Sequence, residues 1–419
     1  GVAGITCALG ARDRDPSAAI TVISGETPYF YSRTALMYAF MDKMKRAHLE
    51  PYERSVWKDR RIELVQDWAV DLNAAAHTVK LAGGGLVHYD KLVLALGSRA
   101  NRAEWPGLEG LKGVVNFVSM QDLDACEEVT ALKNPHAVVV GGGLIGIELV
   151  ECLLHHGKAV AFMIRDPYYW PASLSREESD IVVAHMREQG VDVITGDEVA
   201  SVSGREGRVD GVTTKGGRSL KAEMLGVCIG VRANLDRLAS WSNKPETSRG
   251  VLVDDRFRTS LPDVFACGDC AEISVADKRM TETIWYSAKR HGGVVASNIF
   301  GDDIAYIPPV FFNSSKFMHI EFTTVGDTEF APVGTPTIFR KHRTKDITQR
   351  IVHNDGRVIG FNMLGSRWDN EILARWITER RSPQYALENL REAQMDVEFG
   401  RVKLTDFDQR DIPLAKLGH

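Results

Sequence analysis

Cysteine is scarce in this chain: six residues in 419, at positions 7, 126, 152, 228, 267 and 270. They are too few and too scattered for the disulfide framework of a secreted fold, and the expected compartment is the cytoplasm. Long apolar runs are missing as well. None approaches the length that spans a bilayer, and no signal peptide is visible. Charge of neither sign dominates, and a formal net charge of −5 gives no reason to expect nucleic acid as a partner. No cluster of His, Cys and carboxylate residues has metal-ligand spacing, so no metal site is expected, and His155-His156 reads as a solvated helix end. The composition that remains, 44% hydrophobic and 26% charged, is that of a globular protein long enough for two or three domains.

The chain is organised around the stretch from Ala137 to Arg165, AVVVGGGLIGIELVECLLHHGKAVAFMIR. Ala137 to Val140 predicts a buried parallel strand. Gly141, Gly143 and Gly146 then form G-x-G-x-x-G, a helical pattern runs to His156, Gly157 stops it, and Lys158 to Ile164 closes a βαβ unit. The three glycines suit a tight turn, close approach of backbone to a pyrophosphate, and close helix–strand packing. The amides at the helix start, around Leu144 and Ile145, are free to meet phosphate oxygens. The acid that usually ends the second strand and holds the ribose of NAD is absent. Ile164 and Arg165 stand there instead. An arginine in that place either pairs with the 2′-phosphate of NADP or is a solvated surface residue, so NADH and NADPH both stay open.

The first residues, Gly1-Val2-Ala3-Gly4, read as the back half of a second such fingerprint, whose first strand and first glycine are expected to precede Gly1. Ile5 to Leu9 starts its helix and Ala19 to Ile23 its second strand. Glu26, just beyond, is the candidate ribose-binding acid. Lys43 to Lys58 looks helical and charged, interrupted by Pro51. Ile62 to Ala69, Thr78 to Leu81 and Leu86 to Tyr89 are strand-like, and Lys91 to Arg99 is a buried strand ending in a glycine turn. Beyond Asn101 to Gly110, a linker by composition, come the central βαβ unit, a helix from Arg176 to Gln189 and further short strands. Thr259 to Glu272 reads TSLPDVFACGDCAE, an apolar strand ending in Gly268-Asp269, where a carboxylate suits a ribityl hydroxyl of a flavin. A helix runs from Glu282 to Phe300. Past Pro308-Pro309, strands are expected over Lys316–Phe322, Thr337–His342 and Ile347–His353, with a hairpin turn at Asn354-Asp355-Gly356, followed by helices from Asn370 and from Pro383. Trp368, Trp376 and Phe399 are expected in the core or in a subunit contact.

Two dinucleotide fingerprints, the second inserted between halves of the first, resemble the FAD-dependent pyridine nucleotide oxidoreductases over nearly the whole chain. GVAG at 1–4, YSR at 31–33, ALGSR at 95–99, GGGLIGIE at 141–148, IGVRAN at 229–234 and FACGDCAE at 265–272 carry the resemblance. It implies an α/β fold with two Rossmann-like domains and a C-terminal α+β interface domain. The expected division is an FAD domain over 1–110 and 234–304, an NAD(P) domain over 111–233, and the interface domain over 305–419. YSR and the W-x-x-A of Trp285 and Ala288 are similar to the ferredoxin, rubredoxin and nitrite reductase-type branch.

By that resemblance Gly1, Gly4 and Glu26 would hold one end of FAD, with Ala69 and the turn Ala95, Leu96 and Gly97 also in contact. Gly268 and Asp269 would hold the ribityl and phosphate part, and Arg33 and Trp285 would lie by the flavin ring. Gly141, Gly143, Leu144, Ile145, Gly146, Arg165 and Gly230 would hold NAD(P), with Glu148 at the nicotinamide carboxamide. Leu96 departs from the family's usual Thr and cannot donate the hydrogen bond that Thr could. The disulfide-reducing branches need cysteine near the flavin early in the chain, and residues 27 to 60 contain none. Cys267-x-x-Cys270 has a redox spacing, but the resemblance places it at the ribityl side, away from the ring.

The expected chemistry is therefore the cofactor's: hydride from NADH or NADPH to FAD, then electrons to an external acceptor, first of all a redox protein such as a ferredoxin or rubredoxin. An NAD(P)H oxidase or quinone reductase is the enzymatic alternative. The alternative of another class is an apoptosis-inducing-factor-like protein in which redox state controls association. Assembly as a homodimer, or as a subunit of a larger redox complex, belongs to the same expectation.

Overall fold

A computed structural model describes residues 1–132, 135–275, 278–328, 334–395 and 404–413. Phe399 lies outside the described residues. The chain divides into two compact units: Gly1–Asn101, Val118–Leu123 and Gly230–Ile307 form one, and Arg102–Phe117, Asp124–Ile229 and Pro308–His419 the other. The sequence division set 111–233 and 305–419 apart as domains, whereas the contacts group most of both in the second unit.

In the first unit, the helix Val2–Arg14 buries Ala3, Cys7, Ala8 and Ala11, small residues that let it lie close to its neighbours. Against it packs the helix Trp285–Asn298, which buries Ala288, His291, Gly292, Val295 and Ala296 at helical spacing. Beside them run parallel strand pairs, Ile20–Ile23 with Ile62–Val65 and Leu92–Leu94 with Val264–Ala266. A three-stranded antiparallel sheet, Ala69–Asn73, Thr78–Leu81 and Leu86–His88, adds a further layer. Ala69 thus opens a new strand instead of ending Ile62–Val65. Where the chain leaves this unit and where it returns, Ser98–Ala100 pairs antiparallel with Val231–Ala233.

The second unit holds a five-stranded parallel sheet in the order Asp192–Thr195, Ala159–Ile164, His136–Val140, Met224–Val227, Val114–Val115. The near-continuous apolar runs read from the sequence are its central strands, buried on both faces. The same unit contains a six-stranded antiparallel sheet running Phe312–Phe317, Ile320–Gly326, Arg357–Leu364, Thr348–Asn354, Pro336–His342, Phe407–Pro413. One side of that sheet packs on the helices Asn370–Thr378 and Pro383–Asn389 through Phe361, Trp368, Trp376 and Leu390. Trp368 and Trp376 thus sit in a core, as expected.

Two local readings need correction. Lys43 to Lys58 is not one helix but a turn at Arg46–Leu49 and a short helix Ser55–Asp59. Pro51 lacks an N–H and forces Glu50 into extended backbone, which separates them. Lys316 to Phe322 is not one strand but the bend of a hairpin between Phe312–Phe317 and Ile320–Gly326, with Met318 at φ 58°. Methionine rarely takes that conformation, so no residue type marked the turn. The hairpin at Asp355-Gly356, with φ 48° and 71°, is as read.

The helix Arg176–Glu188 is tied to the six-stranded sheet by buried charge. Ser175 and Glu178 make a capping box, and Glu178 is fully buried. Its carboxylate lies 3.3 Å from Arg350 Nη2 and accepts from Thr348 Oγ1 at 3.2 Å and Asn362 Nδ2 at 3.3 Å. Arg350 also donates to the Ser173 carbonyl. Removing one partner leaves the other charge buried and alone. Arg350→Ala is therefore expected to lower unfolding stability by about 3–5 kcal/mol, while an apolar pair at both positions loses far less, measured by chemical denaturation.

Candidate functional site

In the first unit two turns lie side by side at the start of the helix Val2–Arg14. Ala95-Leu96-Gly97 follows the strand Leu92–Leu94, and Gly268-Asp269-Cys270 follows Val264–Ala266. Because those strands are parallel neighbours, both turns emerge at the same carboxyl edge of the pair, the edge at which open α/β sheets bind ligands. The Leu96 N–H donates to Cys270 Sγ at 3.3 Å, and the Ser98 hydroxyl donates to Asp269 Oδ2 at 2.7 Å, clipping one turn to the other. Gly268 has φ 74°, and a Cβ there would lie 2.8 Å from the Ala3 Cβ. Only glycine fits both the conformation and the approach. Gly4 is as close to the first turn, with its Cβ position 3.0 Å from the Ala95 Cβ. At Gly1 and Gly97 an added Cβ would meet nothing within 4 Å, so both border open space.

Burial raises the Asp269 carboxyl above its ordinary range, against the pull of the Ser98 hydroxyl and of the Arg33 charge. Arg33 and Glu26, assigned by resemblance to different parts of one dinucleotide, form an ion pair here. Tyr31 joins them: its hydroxyl donates to Glu26, accepts from Arg33 Nη1 at 2.8 Å, and accepts the Met120 N–H at 3.1 Å. Burial works against the Glu26 carboxylate, but Arg33 and Tyr31 overcome it and hold its pKa below the usual value. A ribose hydroxyl reaching Glu26 must share that carboxylate with them. Trp285 begins its helix half-buried, stacked on Phe30 with ring centres 6.0 Å apart.

Several contacts of this site were not read from the sequence. Tyr31 and Ser98 stand in the YSR and ALGSR motifs, but nothing local marks their bonds to Met120 and Asp269, nor that of His291 to Gly268. Trp68 makes another: its indole covers Gly25, where a Cβ would fall 2.1 Å from the ring, and Arg237 sits 3.8 Å above it. The signal available was an aromatic residue beside Ala69.

In the second unit the strand His136–Val140 ends at Gly141, which has φ 120°. A Cβ on Gly141 would lie 2.1 Å from the Cys228 carbonyl oxygen, and one on Gly146 would lie 2.1 Å from the Gly141 carbonyl oxygen. Both positions are closed to any side chain. Gly143, at the N-cap of Leu144–His155, is different: its Cβ would meet nothing within 4 Å, and no side chain caps the helix. The helix start at Leu144 and Ile145 thus borders open space, as a phosphate cradle requires. Ile164 is buried and packs toward Gly142, whereas the Arg165 side chain is 76% exposed and 4.0 Å from Asp166. Gly230, with φ 91°, belongs to the first unit, at the returning crossing beside Asn101.

Glu148 lies on the second turn of this helix. Burial, with Glu151 adding repulsion, pushes its carboxyl up to about 7. None of the six cysteines is in a disulfide, and all are buried. Burial pushes Cys270 up to about 11 and Cys7 up to about 12, and holds the Cys267 thiol well above its ordinary value. Burial disfavours the thiolate at all three, and Cys270 contributes hydrogen bonds to the Leu94 and Cys267 carbonyls and from the Leu96 N–H. Among the described residues no group of His, Cys, Asp and Glu could hold a metal ion, and no helix is long and apolar enough to cross a membrane.

Residues 1–292 match the family model described as pyridine nucleotide-disulphide oxidoreductase. The chain is 32% identical over 305 residues to the ferredoxin reductase component of the chlorobenzene dioxygenase of Cupriavidus sp. (strain PS12), covering 72% of this chain and 73% of that protein. It is 28% identical over 327 residues to a rubredoxin-NAD(+) reductase of Pseudomonas putida, covering 77% and 84%. The crystal structure of NADH:rubredoxin oxidoreductase from Clostridium acetobutylicum shares the fold, with a TM-score of 0.71 at 21% identity over 93% of this chain and 97% of that one. The chain belongs to the pyridine nucleotide-disulphide oxidoreductase family.

The raised Glu148 carboxyl carries a pH signature. Its folded pKa, about 7, exceeds the ordinary 4.5, so the native state binds this proton more tightly than the unfolded chain does. The group costs no stability below the lower value, and the penalty grows to its full size above the higher one. Glu148→Gln is expected to match the wild type near about pH 4 and to exceed it by about 1–2 kcal/mol near about pH 8, a gain reduced by partial solvent access and measured by urea unfolding at both pH values.

Proposed function

We propose that this member of the family is an FAD-dependent NAD(P)H oxidoreductase that hands its electrons to a small redox protein of the ferredoxin or rubredoxin kind. The observation that carries the reading is the presence of two glycine-built cradles, one in each unit, in a chain whose Cys-x-x-Cys thiols are buried. Bound FAD supplies the chemistry, taking hydride from NAD(P)H and releasing electrons to the acceptor. The work of the chain is binding and orientation.

In the first unit the start of the helix Val2–Arg14 would hold the FAD phosphates, and the turns at Ala95–Gly97 and Gly268–Asp269 would hold the connecting part. Asp269, buried with the Ser98 hydroxyl as partner, has acceptor capacity left for a ribityl hydroxyl. Trp285 and Arg33 bound the ring end. In the second unit Gly141, Gly143 and Gly146 shape the pyrophosphate cradle, and Glu148 accepts from the nicotinamide carboxamide. Arg165, exposed and loosely held, is the group available to a 2′-phosphate. Residues 305–419 are the interface domain in this reading, through which the chain pairs as a homodimer or joins a larger redox complex. The cytoplasm, which keeps thiols reduced, suits a chain with no disulfide among its described residues.

Anaerobic mixing of the full-length flavoprotein with NADH, and separately with NADPH, tests the reading through bleaching of the flavin. Bleaching by at least one is expected, and Arg165→Ser is expected to lower kcat/KM for NADPH about tenfold while changing NADH little. Turnover that rises with added ferredoxin or rubredoxin identifies the electron-transfer enzyme. Equal turnover with oxygen alone favours the oxidase, and no bleaching by either nucleotide overturns both.

A further inference from the structure

Behind the Gly268–Asp269 turn lies a buried polar chain that the proposed reaction does not use. His291, two turns into the helix Trp285–Asn298, is 0% exposed. Its Nδ1 lies 3.3 Å from the Gly268 backbone nitrogen. A backbone N–H can only donate, so Nδ1 is the acceptor, and the ring proton sits on Nε2. Nε2 in turn lies 2.9 Å from Glu282 Oε2. The Glu282 carboxylate also accepts from the Tyr306 hydroxyl at 2.7 Å and the Ser287 hydroxyl at 3.1 Å. Burial opposes its charge, but His291, Tyr306 and Ser287 hold its pKa below the usual range. The Phe257 and Tyr306 rings, each centred 4.8 Å from the imidazole, leave it little room to turn.

The arrangement has a direction. Tyr306 and Ser287 orient Glu282, Glu282 fixes the tautomer of His291, and His291 satisfies the one N–H of a buried glycine in left-handed backbone. That glycine immediately precedes Asp269. We propose that His291, held by Glu282, is a positioning residue for FAD: it locks the Gly268–Asp269 turn and thereby aims the Asp269 carboxylate. The inference rests on the assignment of this turn to FAD made above.

The test compares His291→Leu and His291→Gln in the full-length enzyme, stripped of flavin and titrated with FAD by fluorescence quenching, with Tm measured on the stripped proteins. Leucine fills the space without an acceptor, and an FAD affinity about tenfold weaker is expected. The glutamine amide oxygen can accept the Gly268 N–H while its NH2 reaches Glu282, so recovery to within about threefold of wild type is expected, with Tm of the stripped proteins alike. Unchanged affinity in His291→Leu overturns the inference, as does a loss in both variants that follows Tm. Nitrogen NMR of selectively labelled histidine needs no variant at all. Protonation at Nε2 with Nδ1 free is expected, and the opposite tautomer overturns the proposal. A wild-type protein that takes up no FAD is a separate failure, which removes the cofactor assignment itself.

Discussion

The first unit depends on how closely two helices approach. Val2–Arg14 and Trp285–Asn298 meet where Gly10 faces Ala296 and where Gly292 faces the Ala3 carbonyl oxygen. An added Cβ would come within 2.8 Å of Ala296 Cβ at the first position and 2.3 Å of the carbonyl oxygen at the second. Contacts this short leave no room for even one methyl group. They bring the start of one helix, the Gly268 turn and the first residues of the other helix to a single place. The position of the proposed FAD residues is thus a consequence of small-residue packing: Gly1, Gly268 and Trp285 are carried there by residues that touch only one another.

The second unit solves a different problem with different means. Its parallel sheet is held by apolar strands buried on both faces, as an α/β layer requires. Its antiparallel sheet buries Thr348, Gln349, Arg350 and Asn362, a polar row that would be expensive in hydrocarbon surroundings. Glu178 makes the row tolerable by offering a charge and two oxygens to three of those residues. An ion pair of this kind adds little net stability over an apolar contact, but it accepts one alignment of helix and sheet and penalises others.

The parts legible in the sequence were those whose causes are local. Gly141, Gly143 and Gly146 could be read because turn, strand and helix follow one another within a dozen residues. The carboxyl-edge turns at Gly97 and Gly268 could be read because each ends an apolar run. The Asp355-Gly356 hairpin announced itself through residues that tolerate positive φ. What escaped has causes distant in sequence. Glu26 was legible as a strand-end acid but not as the partner of Arg33, because nothing in either residue names the other. His291 sits on a buried helical face where a polar residue gives no sign of what it bonds. Met318 turns a corner that carries no glycine, proline or asparagine, so the hairpin around it looked like one strand.

The crossing strands lead to a last point. Ser98–Ala100 and Val231–Ala233 are hydrogen-bonded neighbours, and the Asn101 N–H meets the Gly230 carbonyl at 3.0 Å. These strands bring together the ends of the intervening stretch, residues 102–229, of which Val118–Leu123 itself belongs to the first unit. A segment whose ends already touch needs little closure entropy from its host, whatever its length. Paired ends of this kind let the stretch between them be lengthened or trimmed over evolutionary time, while the strands that hold its ends keep their register.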